Sequence, residues 1–239
     1  MFQTDPFALI IVLVGLSLIP FIAMIATSYL KIVVVMSLIR NALGIQSIPP
    51  NMVINALAMI LTFYIMAPIM GESWNIAKTE LAKAPAAAVA GTASPAGGTQ
   101  AAADSADGRW FETDAVARAA EPFRAFLAKH TTPRERAFFV NTAEQLWGKD
   151  GEPAKVDPES FYILIPSFCV SELTKSFQIG FLVYLPFIAI DIIVSNILLA
   201  MGMMMVSPVT ISLPFKLLLF VMVNGWTLLI QGLVRGYVI

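Results

Sequence analysis

Glu172, Lys175, Asp191 and Lys216 are four of only five charges in residues 161–239 of this 239-residue chain, and Lys31 and Arg40 interrupt an equally apolar stretch near its start. A charge placed in a membrane costs at least about 2.5–3.5 kcal/mol, so such a residue usually has a partner or a task. Glu172 and Lys175 are three apart and can pair on one helix face. Asp191, between Ile190 and Ile192, and Lys216, after Pro214-Phe215, have no opposite charge nearby in sequence. Lys31 and Arg40, nine apart, are read as lining one shared surface. Two kinds of chemistry compete for this set. In one, Asp191 and Glu172 carry ions or protons; in the other, the charges pair across helices or subunits and hold an assembly in register. A relay would want more than two acids, which favours pairing.

Other chemistry has little material. Cys169 is the sole cysteine and His130 the sole histidine. That excludes an intramolecular disulfide and a cysteine-built metal site, and leaves almost nothing for a nucleophilic triad or a histidine metal site. With no nucleophile–base or metal constellation, no enzyme activity is expected, and no cofactor, metal or nucleic-acid partner; with no phosphate-binding loop, ATP or proton coupling is expected to lie in other subunits. Cys169 reads as a small buried hydrophobe. A different signal is Met201, Met203, Met204 and Met205, bracketed by Gly202 and Pro208. Methionine deforms to fill irregular gaps without specifying one packing. The cluster reads as a soft seal around something of variable shape, or as a membrane helix end that is merely rich in methionine.

The elements that must position these residues are hydrophobic. The chain is 58% apolar and 13% charged, against about 45–50% and 25% in soluble domains. Six charges lie in residues 1–80, five in 161–239 and twenty between. This divides the chain into a hydrophobic block at 1–81, a polar insert at 82–158 and a second hydrophobic block at 159–239. The first 30 residues mimic a signal peptide, but their n-region carries Asp5 and no Lys or Arg, and no cleavage site follows; an uncleaved membrane segment is expected. The charge-free stretch from Asp5 to Lys31 is long enough to span, and Pro20 is expected to kink or divide it. Gly44 marks a helix C′ position, and Pro49-Pro50 breaks the chain. Met52–Met70 reads as a second helix, closed by Pro68 and Gly71.

Ala82–Ala103 reads as a flexible linker, residues 109–147 as partly helical, and Gly148–Pro158 as a polar loop. Pro166, Gly180, Pro186, Gly202, Pro208 and Pro214 are expected to cut the second block into short runs at Ser176–Ile190, Ile192–Val206 and Leu217–Val234. Runs that short should pack against partners or copies of the chain. Lys31 and Arg40 favour a cytoplasmic loop, which would place the insert outside the cytoplasm. The fold class is all-α, a membrane-type protein with broken helices.

Three stretches resemble one family. They are Thr27-Ser28-Tyr29-Leu30-Lys31 through Arg40-Asn41-Ala42-Leu43-Gly44 to Pro49-Pro50-Asn51; Ile165-Pro166-Ser167-Phe168-Cys169-Val170-Ser171-Glu172-Leu173 through Gly180-Phe181; and Met201-Gly202-Met203-Met204-Met205 through Pro214-Phe215-Lys216 to Gly225-Trp226. The chain resembles the FliP/SctR family, the export-gate subunit of flagellar and injectisome type III secretion systems, and its wording is closer to the injectisome branch associated with virulence. The resemblance covers nearly everything except about 72–158, where no function is assigned.

It implies helical hairpins assembled as a homopentameric ring with SctS/FliQ-like and SctT/FliR-like subunits. It also implies a multi-pass protein of the bacterial inner membrane, with the assembled gate facing the periplasm and conducting unfolded protein substrates. Met201, Met203, Met204 and Met205 match the family's pore gasket. Glu172 and Lys216 match positions that pair between neighbouring subunits; the alternative is an intrahelical Glu172–Lys175 pair with Lys216 snorkelling to a polar boundary. A small ion or solute transporter using Asp191 and Glu172 is the competing function.

Overall fold

The computed structural model describes residues 6–45, 48–90, 114–148 and 155–238, and the regular structure there is helical throughout. The helices are α1 (Pro6–Ile25), α2 (Tyr29–Ala42), α3 (Asn51–Ala90), α4 (Asp114–Ala119), α5 (Glu121–His130), α6 (Pro133–Trp147), α7 (Phe161–Ala200), α8 (Pro208–Met222) and α9 (Gly225–Val238). The chain divides into two units, Met1–Ile65 with His130–Ile239 and Met66–Lys129.

The first unit is organised along α7. At 1.5 Å per residue its 40 residues extend about 60 Å. Lys31 meets Glu172, Leu38 abuts Gly180, and Gly44 lies beside Lys216, itself paired with Asp191. Those contacts run in the same order along both chains, so α2 lies parallel to α7. The partners of α8 and α9 run in the opposite order. Lys216 meets Asp191, Phe220 stacks near Phe187 and Tyr237 reaches Glu172. α8 and α9 therefore return antiparallel along α7 from Asp191 back to Glu172, bent by 58° at Val223-Asn224. The buried core is Ile32, Val35, Met36 and Ile39 of α2, Ile54 and Ala58 of α3, and Phe187, Phe220 and Leu233.

Helix ends explain the breaks. α2 ends with Gly44 at φ 76°, its N–H bonded to the Asn41 carbonyl, as its C′ reading requires. α7 ends in a Schellman arrangement. Gly202 stands at φ 74° with its N–H on the Leu199 carbonyl, and the Met203 N–H reaches Leu198. α8 begins with extended Ser207 and Pro208 in its first turn, where a missing N–H leaves no bond unmade. Asn224, at φ 54°, turns the chain between α8 and α9, and asparagine tolerates that region better than most residues.

Several expected breaks are absent. α7 runs unbroken through Pro166, Gly180 and Pro186, and α3 passes Pro68 and Gly71 to reach Ala90. A proline removes one helical bond; in apolar surroundings no water competes for the rest, so the helix continues. Ala82–Ala90 is helical instead of linker, consistent with the helix propensity of alanine. Pro20 lies within α1, and the break falls later, at residues 26–28. The linker reading of residues 91–103 lies outside the described residues.

By length and composition α3 (Asn51–Glu80) and α7 can cross a membrane, and the bent pairs α1–α2 and α8–α9 raise the number of such spans to as many as four. The second unit holds the rest of α3 with α4 and most of α5. Glu80 pairs with Arg118 at 3.3 Å, and Lys78 lies over the Trp74 ring.

Candidate functional site

Two polar clusters interrupt the apolar packing of α7, one near each end. Glu172, wholly buried, stands at the first. Its Oε2 meets Lys31 Nζ at 3.0 Å and accepts the Tyr237 hydroxyl, while Oε1 meets Lys175 Nζ at 3.1 Å. Lys31 Nζ also lies 4.2 Å from the centre of the Tyr237 ring. Lys175 donates to the His130 carbonyl at 2.6 Å, and the Thr132 N–H donates to the Ser171 hydroxyl at 3.0 Å. The His130 ring stands edge-on to Tyr237. One carboxylate thus gathers α2, α7 and α9, and Lys175 extends the network to the end of α5. Burial strengthens each of these bonds and makes the loss of any partner costly.

The second cluster lies nineteen residues further along α7. Asp191 accepts Lys216 Nζ at 2.7 Å on one oxygen and the Ser212 hydroxyl at 2.6 Å on the other. Lys216 and Ser212 are buried and Asp191 is half-buried. Lys216 Nζ is also 4.0 Å from the point a Cβ on Gly44 would occupy, beside the carbonyl end of α2. Sequence spacing left Asp191 and Lys216 without local partners; folding α8 back on α7 makes them each other's. Within one chain Glu172 and Lys216 are paired elsewhere, and the i,i+3 pair of Glu172 and Lys175 forms.

Lys31 and Arg40 do not share a surface. Nine residues at 100° each place them on opposite sides of α2. Lys31 points to Glu172, whereas Arg40 donates to the Pro49 carbonyl at 3.4 Å and to Asn51, tying the end of α2 to the start of α3. Cys169 is half-buried and free. Among the described residues no three His, Cys, Asp or Glu side chains gather as a metal site. Tyr237, Ser212 and Ser171 were missed by sequence reasoning. The available signal was that a hydroxyl in an apolar helix needs an acceptor.

The methionine cluster forms the turn between α7 and α8. Met201, Met203, Met204 and Met205 are all exposed, Met204 by 83% and Met205 completely. The turn is held by backbone bonds alone, at Met201, Gly202, Met203, Met204 and Val206. Between α7, α8 and α9 an apolar cleft of about 560 Å³ is lined by residues such as Ile179, Phe187, Phe220 and Leu233. No ionisable or hydroxyl side chain lines it, so it offers nothing to coordinate an ion or a polar solute.

The chain matches the FliP family model over residues 12–233. It is 47% identical to "Yop proteins translocation protein R" of Yersinia pestis, over 98% of this chain and 97% of that protein. It is 43% identical to "Hypersensitivity response secretion protein HrcR" of Ralstonia nicotianae, over 96% of each. It is 37% identical to "Flagellar biosynthetic protein FliP" of Bacillus subtilis, over 96% of this chain and 90% of that one. Among these three, the similarity is greater to the two secretion proteins than to the flagellar one.

Proposed function

From the premise that this chain belongs to the FliP family, we propose that it is a core subunit of the type III secretion export apparatus, of the injectisome kind, and forms the gate through which unfolded protein is exported. The relatives named for translocation and secretion, matched over nearly their full lengths, support the export role. One observation carries the gate: a four-methionine turn at the tip of a long hairpin, exposed at every methionine and fully so at Met205. Copies of such a tip brought together around an axis would make a deformable closure, because thioether chains repack around differing shapes.

The assembly is proposed as a homopentamer with SctS/FliQ-like and SctT/FliR-like subunits, in the bacterial inner membrane with the gate toward the periplasm. Large exposed apolar side chains support it: Met52, Phe63 and Tyr64 on α3, and Phe181 and Leu182 on α7. Such a surface needs lipid or protein against it. The Glu172–Lys216 contact between neighbouring subunits belongs to the same proposal; since both side chains are buried and paired within the single chain, it requires assembly to exchange those internal pairs. A transporter using Asp191 and Glu172 finds less support, because both carboxylates are held by cationic and hydroxyl partners.

The test is a leak measurement. Replacing Met203, Met204 and Met205 together with Ala is expected to leave the assembled complex intact and to admit small solutes. A triple variant as tight as the parent would remove the gasket role.

A further inference from the structure

Asp191 lies ten residues before Met201, about 15 Å down α7 at 1.5 Å per residue. On the returning strand of the hairpin, Ser212 lies four residues beyond Pro208. Asp191 is therefore the point where the two arms beneath the methionine turn are last joined by a polar tie. Its two oxygens go to two positions of α8 four residues apart, one helical turn, so the carboxylate fixes both separation and rotation of α8 against α7. A single bond would leave α8 free to roll.

Above this tie little else holds the arms together. Between Asp191 and Ser212, Leu198 alone is buried, while Ile192, Ile193, Ile197, Leu199, Val209 and Ile211 are exposed. A segment with few buried contacts opens at low cost. Below the tie the arms are anchored by the Phe187–Phe220 ring pair and by the core. Lys216, 3% exposed and close to the Gly44 position, seats the tie against the end of α2 as well.

We propose that Asp191 is a positioning residue for the gate: by binding Ser212 and Lys216 together it sets where the arms above it hold the methionine turn, and so how tightly copies of that turn close. This rests on the gate reading above. Asp191 touches no exported substrate; it acts through α8.

The experiment compares solute leak per assembled complex, with assembly measured separately by native gel or native mass spectrometry. K216M alone measures what losing the proposed contact of Lys216 with a neighbouring subunit does to assembly and leak; against it, the double variant D191N/K216M removes the ion pair without leaving a lone buried charge. It is expected to assemble and to leak several-fold more than the parent. The charge reversal D191K/K216D restores the pair, and should restore tightness; rescue by reversal is something a merely space-filling role would not give. The milder S212A removes one of the two bonds, and should assemble fully while leaking by a smaller, measurable amount.

If D191N/K216M fails to assemble, S212A decides alone. An assembled S212A as tight as the parent would overturn the inference, as would an assembled D191N/K216M that does not leak. The methionine triple variant is measured alongside. If it leaks while the Asp191 and Ser212 variants stay tight, the positioning role falls and the gate stands. If the triple variant is also tight, the gate reading itself has failed.

Discussion

Glu172 accepts from three donors while wholly enclosed by protein. Removing its charge leaves Lys31 without its buried counter-ion, and breaking one partner of such a pair costs about 3–5 kcal/mol. E172Q should therefore lower the yield and thermal stability of the purified protein. Reversals identify the partner that matters. Because Lys31 lies 3.0 Å away within the same chain, K31E/E172K is expected to recover more folded protein than E172K alone, read by size-exclusion profile and melting temperature. Recovery of assembly by E172K/K216E, in which the second change lies on a residue unpaired with Glu172 within the chain, would reveal the contact between subunits. Lys216 itself is expected to answer to Asp191, since the two are 2.7 Å apart.

At the scale of elements, α2 packs closely on α7. A Cβ at Gly180 would lie 2.3 Å from Leu38 Cδ1 and 3.2 Å from its Cβ. G180A should push the two helices apart and destabilise the protein by about 1–3 kcal/mol, as overpacking does. L38A beside it should recover part of the loss, a coupling that thermal melts of both single variants and the double would reveal. Elements are also where sequence reading met its limits. Gly44 as a helix end and the Glu172–Lys175 pair were legible, because both depend on residues within one turn. The continuity of α7 through Pro166 and Pro186 was not, because it depends on apolar surroundings that a local reading of proline leaves out. Asp191 with Lys216, 25 residues apart, and Lys31 with Glu172 depend on how helices dock, which no spacing rule supplies. Tyr237 was hidden for the same reason: its acceptor stands 65 residues away.

For the whole molecule, exposed apolar faces on α1, α3, α7 and α9 exceed what a lone subunit would leave to water. Native mass spectrometry of the full chain, co-expressed with its neighbouring secretion genes and extracted in mild detergent, should find a five-copy ring that gains small partner subunits. A monomer or dimer that recruits nothing would end the ring proposal. Overall helicity and the resemblance carried by three motifs were readable beforehand, because each is written in composition or in contiguous residues. The geometry of the tip holds one more consequence. Gly202 and Ser207-Pro208 close the ends of α7 and α8 by backbone means, and the residues between them give no side chain to the core. Met204 and Met205, the most exposed of these residues, therefore sit where the fold constrains composition least. On the proposed gate reading, the softness of the seal can be retuned by engineering while the scaffold beneath it stays as it is.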